Sequence, residues 1–482
     1  MSSPNTWKSN AGYIWAMIGS AVGFANILSF SARCYYNGGG AFLIPLFVAV
    51  IVLGLPLLIL EGIMGQQLQL PLVSAYGKIA GRTGKFFGWL TVLGVASIGS
   101  YYCVINAWTI AYIVYACMDM IPADTATFFN KTFLQDSGSL IVPGAISFPI
   151  LFFTLLISAF TWVVTVRNIR SGIEKFCSFF LPLLFILLIG FAVFVAFLPG
   201  AFDGFRFYLI PNFSKLMEPK IWLSAFGHVF FSFSVALAII VGFSRYTDKS
   251  VNIAQSMLLV AFADIMTSLI AGLVIFGGIG YMAQATQVPF ENVVTSSLFG
   301  LGFVVFPQVF LLFPHALKII FGTLFFFSLF IAGITGMFSI VEAVAGNFEV
   351  EFSWSRRRAV TVSSLIIFCM ALIYTRGNGS YIIDALDGMV AGFNVIVAGL
   401  MQIIVFMYFA QQIAGNKVWF SAPGVRAFRY YALKFIAPIL LCIVLATSLI
   451  AEFYTEFNAA KIVRWSWLIV ASSVAYMLAR RK

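Results

Sequence analysis

The sequence predicts an all-α integral membrane protein with twelve transmembrane helices. Of its 482 residues, 61% are hydrophobic and only 9% are charged, and the mean hydropathy is +1.01. A soluble domain carries roughly 25% charged residues, so a soluble protein is excluded. A helix needs about 20 apolar residues to cross a bilayer. Runs of that kind lie near 11–35, 41–70, 88–118, 143–165, 176–198, 221–243, 253–284, 319–347, 359–374, 381–411, 431–453 and 463–479.

The positive charges predict an orientation for these spans. If the N-terminus is cytoplasmic, roughly two thirds of the 28 Lys and Arg residues fall in cytoplasmic segments, as the positive-inside rule requires. We therefore expect both termini in the cytoplasm. The net charge of +11 then follows from topology, so the expected surroundings are a lipid bilayer and no nucleic-acid partner is expected.

Cysteine and histidine usage argues against an enzyme. The six Cys and two His residues show no metal-binding or disulfide spacing, and no nucleophile–base pair is visible. We expect no catalytic residues, no enzyme activity and no organic cofactor.

Two features of residues 19–65 indicate an ion or solute site inside the membrane. Small and polar residues interrupt the first span near Ser20–Ala25, and the second span carries a lone acid, Glu61. In lipid a broken helix persists only where protein, water or a ligand satisfies the freed backbone groups. We assign Glu61 a supporting role at the broken backbone rather than ion binding.

Several short motifs follow one another along these spans. They are Gly19–Gly65, Tyr101-Tyr102 with Trp108, Phe230–Ser234, Asp264–Ser268, Ala332–Thr335 and Asp387. In this order the set resembles the neurotransmitter:sodium symporter family, in its bacterial amino-acid transporter branch with the leucine-transporter-like fold. The resemblance implies a bacterial inner-membrane location.

The resemblance also implies an architecture. Spans 1–10 would form a 5+5 inverted repeat with broken helices 1 and 6, followed by two C-terminal helices. The first repeat would cover about 11–198, the second about 221–411, and helices 11–12 about 431–479, within a single transmembrane domain, 1–482. In span 6, Ala236 and Ala238 stand where the family has glycine. The segment 285–318 is expected to pack as a lid.

By resemblance, one or two sodium ions bind at the breaks. One site would use the carbonyls of Gly19, Val22 and Ala332 and the hydroxyl of Thr335. The alternative for Thr335 is a hydroxyl bonded to its own helix backbone. The second site would use the Ala21 carbonyl, Asn26, Ser232 and Asp264, the last standing where the family has Asn.

Asp264 also bears on chloride. At the family's chloride position, Leu46 and His228 replace a Tyr and a Gln, while Ser232 and Ser268 remain. We infer that the Asp264 carboxylate supplies the negative charge, so transport would be chloride-independent. His228 either pairs or exchanges a proton with Asp264, or is an ordinary polar residue satisfied by a neighbour.

The same breaks imply an amino-acid pocket. The positive end of the outer half-helix of span 1 suits a carboxylate, and Gly23 replaces the Asp that monoamine carriers use for an amine. Gly336 would leave room for a larger apolar or aromatic side chain. The implied substrate-binding residues are Gly23, Phe24, Ala25, Ile98, Tyr102, Phe231, Ser232, Ser234, Leu237, Gly336 and Ile340.

Gates and a hinge complete the expectations. The family's gating Arg is replaced by Ser29, and Arg33, one helical turn further out, is expected to take its place opposite Asp387; otherwise Arg33 snorkels to the interface. Tyr102 and Phe231 would close the pocket. Gly172 and Pro182 match a segment that unwinds on the cytoplasmic side, or form an ordinary proline kink.

The function expected from these features is Na⁺-coupled import of a neutral, apolar or aromatic amino acid by alternating access. A proton-coupled or sodium-independent amino-acid transporter using Asp264 and His228 is one alternative, and a non-transporting, receptor-like member is another. No pattern in the sequence predicts an oligomeric state.

Overall fold

The computed structural model describes residues 6–293, 298–409, 428 and 430–481. Within these ranges the chain is helical, with two isolated β-bridges and no sheet. The main helices are α1 Asn10–Ala21, α2 Ala25–Tyr36, α3 Gly40–Leu68, α4 Leu72–Cys117, α5 Phe148–Thr165, α6 Arg170–Ala196, α7 Ala201–Leu209, α8 Pro219–Ser232, α9 Ile239–Ser244, α10 Ile253–Thr286, α11 Leu301–Leu311, α12 His315–Glu351, α13 Arg356–Thr375, α14 Gly379–Met407, α15 Ala432–Tyr454 and α16 Ala459–Arg480. Short helical turns lie at Thr125–Thr127, Phe128–Phe133, Phe213–Met217, Phe290–Val293 and Leu298–Gly300.

These helices confirm the predicted membrane fold. Among the described residues, ten helices are long and apolar enough to cross a membrane, and α1 with α2 form a further span bent by 53°. The pair α8 and α9 occupies the predicted sixth span, which brings the count to the predicted twelve. The last two residues of predicted span 10, 410–411, lie outside the described ranges, and so do 294–297 of the expected lid.

Two helices form the centre of the bundle. In the most apolar stretch of α4, 94% of the residues are buried, and in that of α12 the share is 83%. The corresponding share is only 17% for α15 and for α16. A helix that is apolar on all sides and little buried by protein faces lipid, so α15 and α16 lie at the periphery.

The glycine run after α2 makes a tight turn between the first two spans. Gly39 has a φ of +66°, and a Cβ atom on it would overlap the carbonyl oxygen of Phe207. Gly39 also forms a β-bridge with Pro211. Only glycine combines this conformation with so close a backbone approach, so the run seats the turn against the end of α7.

The sixth span is broken between α8 and α9. Three residues in this gap that are not glycine, Ser234, Ala236 and Ala238, have φ values of 52°, 62° and 60°. Such conformations are unfavourable for residues with a Cβ atom, so contacts from neighbouring helices must hold them. Glu61 Oε1 accepts a 2.7 Å hydrogen bond from the Ala236 N–H, which is the support predicted for this acid.

The predicted hinge is helical in this structure. Gly172 lies in a π-helical turn, Arg170–Glu174, at the start of α6. Pro182 lies inside the α-helix that continues from it to Ala196. The unwinding predicted between Gly172 and Pro182 is therefore not present in this conformation, in which Glu174 Oε2 accepts a 2.9 Å hydrogen bond from the Lys8 N–H.

Candidate substrate and sodium site

A cavity of about 340 Å³ lies beside the break of the first span. It reaches from the aromatic rings of Phe24 and Tyr102 to the exposed carboxylate of Asp384, at the end of the bundle away from the N-terminus. Its walls come from α2, α4, α8 and α14. They are lined by Phe24, Ala25, Leu28, Ser29, Arg33, Tyr101, Tyr102, Ile105, Gly227, Phe230, Phe231, Phe299, Ile383, Asp384, Asp387, Gly388, Ala391, Gly392, Val395 and Ile396.

The structure brings only part of the predicted pocket to this cavity. Phe24, Ala25, Tyr102 and Phe231 line it, together with the predicted gate residues Arg33 and Asp387. Four others predicted to bind the substrate, Ile98, Leu237, Gly336 and Ile340, are buried and do not line the cavity.

The space expected next to Gly336 is filled by protein. A Cβ atom on Gly336 would lie 3.1 Å from the Tyr102 hydroxyl and 3.3 Å from its Cε1. The phenol ring therefore takes the room that was predicted to admit a larger substrate side chain, because it packs across α12 at this point.

The first break places backbone donors beside a phenol. Tyr102 OH lies 3.4 Å from the Phe24 nitrogen and accepts its N–H, and a Cβ on Gly23 would come within 2.5 Å of the same hydroxyl. The rings of Phe24 and Tyr102 have centroids 4.9 Å apart. Backbone N–H groups at a helix start attract anions, so this corner of the cavity suits a carboxylate.

Four oxygen atoms converge on the side-chain amide of Asn26. Its Nδ2 lies 2.7 Å from Asp264 Oδ1, 3.2 Å from the Asp264 carbonyl oxygen, 3.0 Å from Ser232 Oγ and 3.0 Å from Ser268 Oγ. An amide NH₂ has only two protons, so the oxygens in reach outnumber the donors. At most two of these four oxygens can therefore accept a proton from Asn26 at one time.

Asp264 is held from several sides in this cluster. Ser232 Oγ donates to both of its carboxylate oxygens, at 3.0 and 2.8 Å. Asn26 is tied to the break by its Oδ1, which accepts a 2.8 Å hydrogen bond from the Gly23 N–H. The cluster therefore joins α10 and α8 to the unwound backbone of the first span.

His228 lies beside this cluster without a hydrogen bond to it. It lines a small cavity of about 10 Å³ together with Leu46, Ser232, Asp264 and Ser268. Its Nδ1 has no hydrogen-bond partner among the described residues. The ring packs instead against Phe30, at a centroid distance of 5.8 Å.

The other predicted sodium residues also lie close together. A Cβ on Gly19 would lie 3.1 Å from Cβ of Thr335 and 3.1 Å from Sγ of Cys177, and one on Gly23 would lie 3.9 Å from the Ala332 carbonyl oxygen. The Thr335 hydroxyl donates to the carbonyls of Ile331 and Ala332 in its own helix, at 3.0 and 3.2 Å. Its oxygen lone pairs are still able to bind a cation. Val22 and Ala21, where α1 ends, lie in the same break.

The two breaks are also joined directly. Ser234 Oγ donates a 2.6 Å hydrogen bond to the Ser20 carbonyl oxygen. Ser234, predicted to bind the substrate, thus links the unwound segments of the first and sixth spans in this conformation.

The predicted outer gate residues face each other across the cavity without an ion pair. Arg33 Nε donates to Ser29 Oγ at 3.3 Å, and its Nη1 lies 3.4 Å from the Ser224 carbonyl oxygen. Asp387 Oδ1 accepts a 2.7 Å hydrogen bond from Tyr101 OH. Both side chains line the cavity.

The opposite end of the bundle is closed by a charge network that the sequence analysis missed. Arg245, just after α9, donates to the Gly346 carbonyl at 3.0 Å and to the Tyr246 hydroxyl, and lies 3.3 Å from Glu349 Oε2.

A second arginine completes this network. Arg356 binds the fully buried Glu342 at 2.7 Å and the Thr165 carbonyl at 2.7 Å. Tyr246 OH donates to Glu342 at 3.1 Å. We call Arg245, Tyr246, Glu342, Glu349 and Arg356 the inner network.

The N-terminal segment adds to this closure. Trp7 Nε1 donates a 3.1 Å hydrogen bond to the Phe243 carbonyl oxygen, and the hydroxyls of Tyr13 and Ser244 lie 2.7 Å apart. Among the described residues, the cavity therefore reaches the surface at Asp384, and the inner network packs at the opposite end.

Comparison with known proteins identifies the family. The sequence model of the sodium:neurotransmitter symporter family matches residues 4–126 and 119–480. An uncharacterized sodium-dependent transporter of Methanocaldococcus jannaschii is 34% identical over 403 residues, which cover 84% of this chain and 81% of that protein. The human sodium- and chloride-dependent GABA transporter 2 is 26% identical over 79% of this chain and 69% of its own length.

A solved structure has the same fold. The crystal structure of MhsT in complex with L-phenylalanine matches with a TM-score of 0.77 and 27% identity, over 92% of this chain and 99% of that one. The two broken spans, the oxygen cluster at Asn26 and these matches lead to one conclusion. The chain is an integral membrane protein of the sodium:neurotransmitter symporter family, whose members are sodium-dependent transporters and not enzymes.

Proposed function

We propose that the chain is a Na⁺-coupled importer of a neutral, apolar or aromatic amino acid, working by alternating access in a bacterial inner membrane with both termini in the cytoplasm. The observation that carries this proposal is the oxygen cluster around Asn26, because Asn26 joins the carboxylate of Asp264 to the backbone that borders the cavity. The L-phenylalanine in the MhsT structure supports an amino acid as the class of substrate.

Coupling follows from this arrangement. The carboxylate of the substrate binds the N–H groups of Phe24 and Ala25 and the hydroxyl of Tyr102, which already accepts the Phe24 N–H. A sodium ion among Asn26, Asp264 and Ser232 fixes the turn that presents these N–H groups. Half-helix ends that serve both an ion and a substrate are suited to such coupling. The ion therefore preorganises the substrate site.

A second ion at Gly19, Val22, Ala332 and Thr335 holds α1 against α12. Because this site joins the first break to α12, one of the two most buried helices, its loss frees α1 to move. Unwinding of α6 between Gly172 and Pro182 then opens a path from the cytoplasm. The repeats, about 11–198 and 221–411, each contribute one broken span to this scheme.

Uptake into proteoliposomes tests the proposal. An inward Na⁺ gradient should drive accumulation of a labelled neutral amino acid, and an equal K⁺ gradient should not. Accumulation driven only by a proton gradient would favour the proton-coupled alternative, for which the carboxylate of Asp264 is the specific observation. Na⁺-dependent binding without any uptake would favour the receptor-like alternative.

Transport should not require chloride. Leu46 and His228 line the small cavity beside Asp264, and the carboxylate already supplies a negative charge there. Replacing chloride with gluconate on both sides of the membrane should leave the initial rate of uptake unchanged. A large loss of rate, restored by chloride, would contradict the assignment of Asp264 as the counter-charge.

Arg33 and Asp387 should couple when the outer end closes. Both line the open cavity, and a charge-assisted pair between them would stabilise the closed state. Arg33→Ala is expected to slow uptake more than it weakens Na⁺-dependent binding. Arg33→Ala, Asp387→Ala and the double variant should give non-additive effects on uptake. Simple additivity would show that the two residues act separately. Lys215→Ala, which removes an exposed cation paired with Glu218, is the matched control.

A further inference from the structure

The ring of Phe24 divides the cavity from the central helix α12. Phe24 is 7% exposed, lines the cavity and stacks at a tilt against Tyr102. Its far edge rests on Gly333 of α12, since a Cβ atom on Gly333 would overlap Cζ of Phe24. The ring therefore stands between the cavity and α12.

This position explains which predicted residues the cavity reaches. Gly336 lies one turn from Gly333 on the same helix and is covered by the Tyr102 ring. Ile340, a turn further on, packs on Gly99, where an added Cβ would lie 2.6 Å from its Cγ2. The two aromatic rings thus cover the face of α12, and the apolar wall left to a substrate comes from α4, α8 and α14.

The glycine at position 333 is what allows Phe24 to lie there. The atoms that an added methyl group would meet are the end of the Phe24 ring and Oδ1 of Asn106. Both are ends of side chains, so an alanine would displace the ring rather than the helices. Because the other face of the ring borders the cavity, that displacement would reduce the space for a substrate.

We propose that Phe24, positioned by Gly333, is the residue that sets the upper size of the substrate side chain. This inference rests on the proposed function and deepens it. The side chain of the amino acid lies against Ile105, Ala391 and Val395, with Phe24 as its floor, and α12 does not contact it. Specificity is then controlled at the first break, next to the groups that bind the carboxylate.

The test compares Na⁺-dependent binding of L-alanine, L-leucine and L-phenylalanine by the full-length protein. Gly333→Ala should weaken L-phenylalanine binding about tenfold more than L-alanine binding, the range expected when a hydrophobic pocket loses roughly one methylene of space. Phe24→Leu should shift the ratio of affinities toward L-phenylalanine. In the variant that carries both substitutions, the shorter leucine side chain avoids the new methyl group, so the Gly333→Ala effect should disappear.

Two variants serve as controls. Gly190→Ala adds a methyl group with no atom within 4 Å and should leave the ranking of ligands unchanged. Ile340→Val trims the α12 residue that was predicted to line the pocket, and it should also leave the ranking unchanged.

The outcomes separate the two proposals. If the wild type binds none of the three amino acids in Na⁺, the proposed function is wrong, and this inference is wrong with it. If the wild type binds them but Phe24→Leu leaves their ranking unchanged, only this inference is wrong. Persistence of the Gly333→Ala effect in the double variant, or a change in ranking with Ile340→Val, would also overturn it.

Discussion

Asp264→Asn is expected to weaken Na⁺ binding by about tenfold or more, which is roughly 1.4 kcal/mol. The carboxylate is the charged group in a cluster of hydroxyl, carbonyl and amide oxygens around Asn26. A cation in a site of low dielectric constant is stabilised strongly by an adjacent negative charge, and the substitution removes that charge while it keeps the size of the side chain.

The variant should also become sensitive to chloride. With Asn at position 264, the small cavity lined by His228, Ser232 and Ser268 loses its anionic group, so an added chloride ion restores part of the Na⁺ affinity. The measurement is a Na⁺ titration of thermal stability in chloride and in gluconate. Asp384→Asn, at the exposed end of the cavity, is the control. Wild-type Na⁺ affinity of Asp264→Asn in gluconate would show that Asp264 is not the counter-charge.

Arg245→Ala is expected to open the inner end of the protein. The Arg245 side chain is 6% exposed, Glu342 is fully buried, and two Arg and two Glu residues balance each other in the inner network. Removing one partner of a buried ion pair costs about 3–5 kcal/mol. A shift of about 5.5 kcal/mol takes a two-state equilibrium from 1:99 to 99:1, so the loss of Arg245 is large enough to populate the inward-open state.

The thiol of Cys177 provides the readout. It is buried beside Gly19, near the end of α1, so we expect reagents to reach it only when the inner end opens. In a background lacking the exposed Cys117, Cys369 and Cys442, Arg245→Ala should accelerate its labelling and weaken Na⁺-dependent substrate binding. Cys177→Ser in the same background is the control, and only the labelling that this substitution abolishes is assigned to Cys177.

A matched ion pair on the same end is the control. Lys85 binds Glu351 at 2.8 Å and joins α4 to α12, without involving the segment after α9. Lys85→Ala should leave Cys177 labelling unchanged. Equal labelling of the wild type and Arg245→Ala would show that the inner network does not control opening. Glu349→Gln added to Arg245→Ala restores charge balance and should slow the labelling again.

The sequence predicts the two breaks for different reasons. The first break follows from the small and polar residues at 20–25, whose pattern is visible in the chain itself. The second follows mostly from the resemblance, because Ala236 and Ala238 favour a continuous helix. The structure confirms the twelve-span fold, and it shows that contacts from Glu61 and Ser20, not local propensity, hold the sixth span open.

Other features depend on tertiary packing, which the pattern of apolar residues along the sequence does not reveal. The sequence cannot show that Phe24 rests on Gly333, since that contact joins residues far apart in the chain. The face of α14 that lines the cavity is equally hidden, because a π-helical stretch, Gly388–Asn394, shifts the helical register. One part of the inner network is visible in the sequence. Glu342 and Glu349 lie two helical turns apart on one face of a membrane helix, where acidic residues are rare and need partners.

The left-handed alanines have a consequence for leakage of ions. Glycine visits left- and right-handed conformations about equally, whereas an alanine at positive φ is confined to a narrow well that costs about 1–2 kcal/mol to occupy. Ala236 and Ala238 therefore make the gap between α8 and α9 a stiff joint, which is released only when its partner contacts change. Such a joint resists small random movements of the half-helices, so we expect it to limit the passage of sodium without substrate.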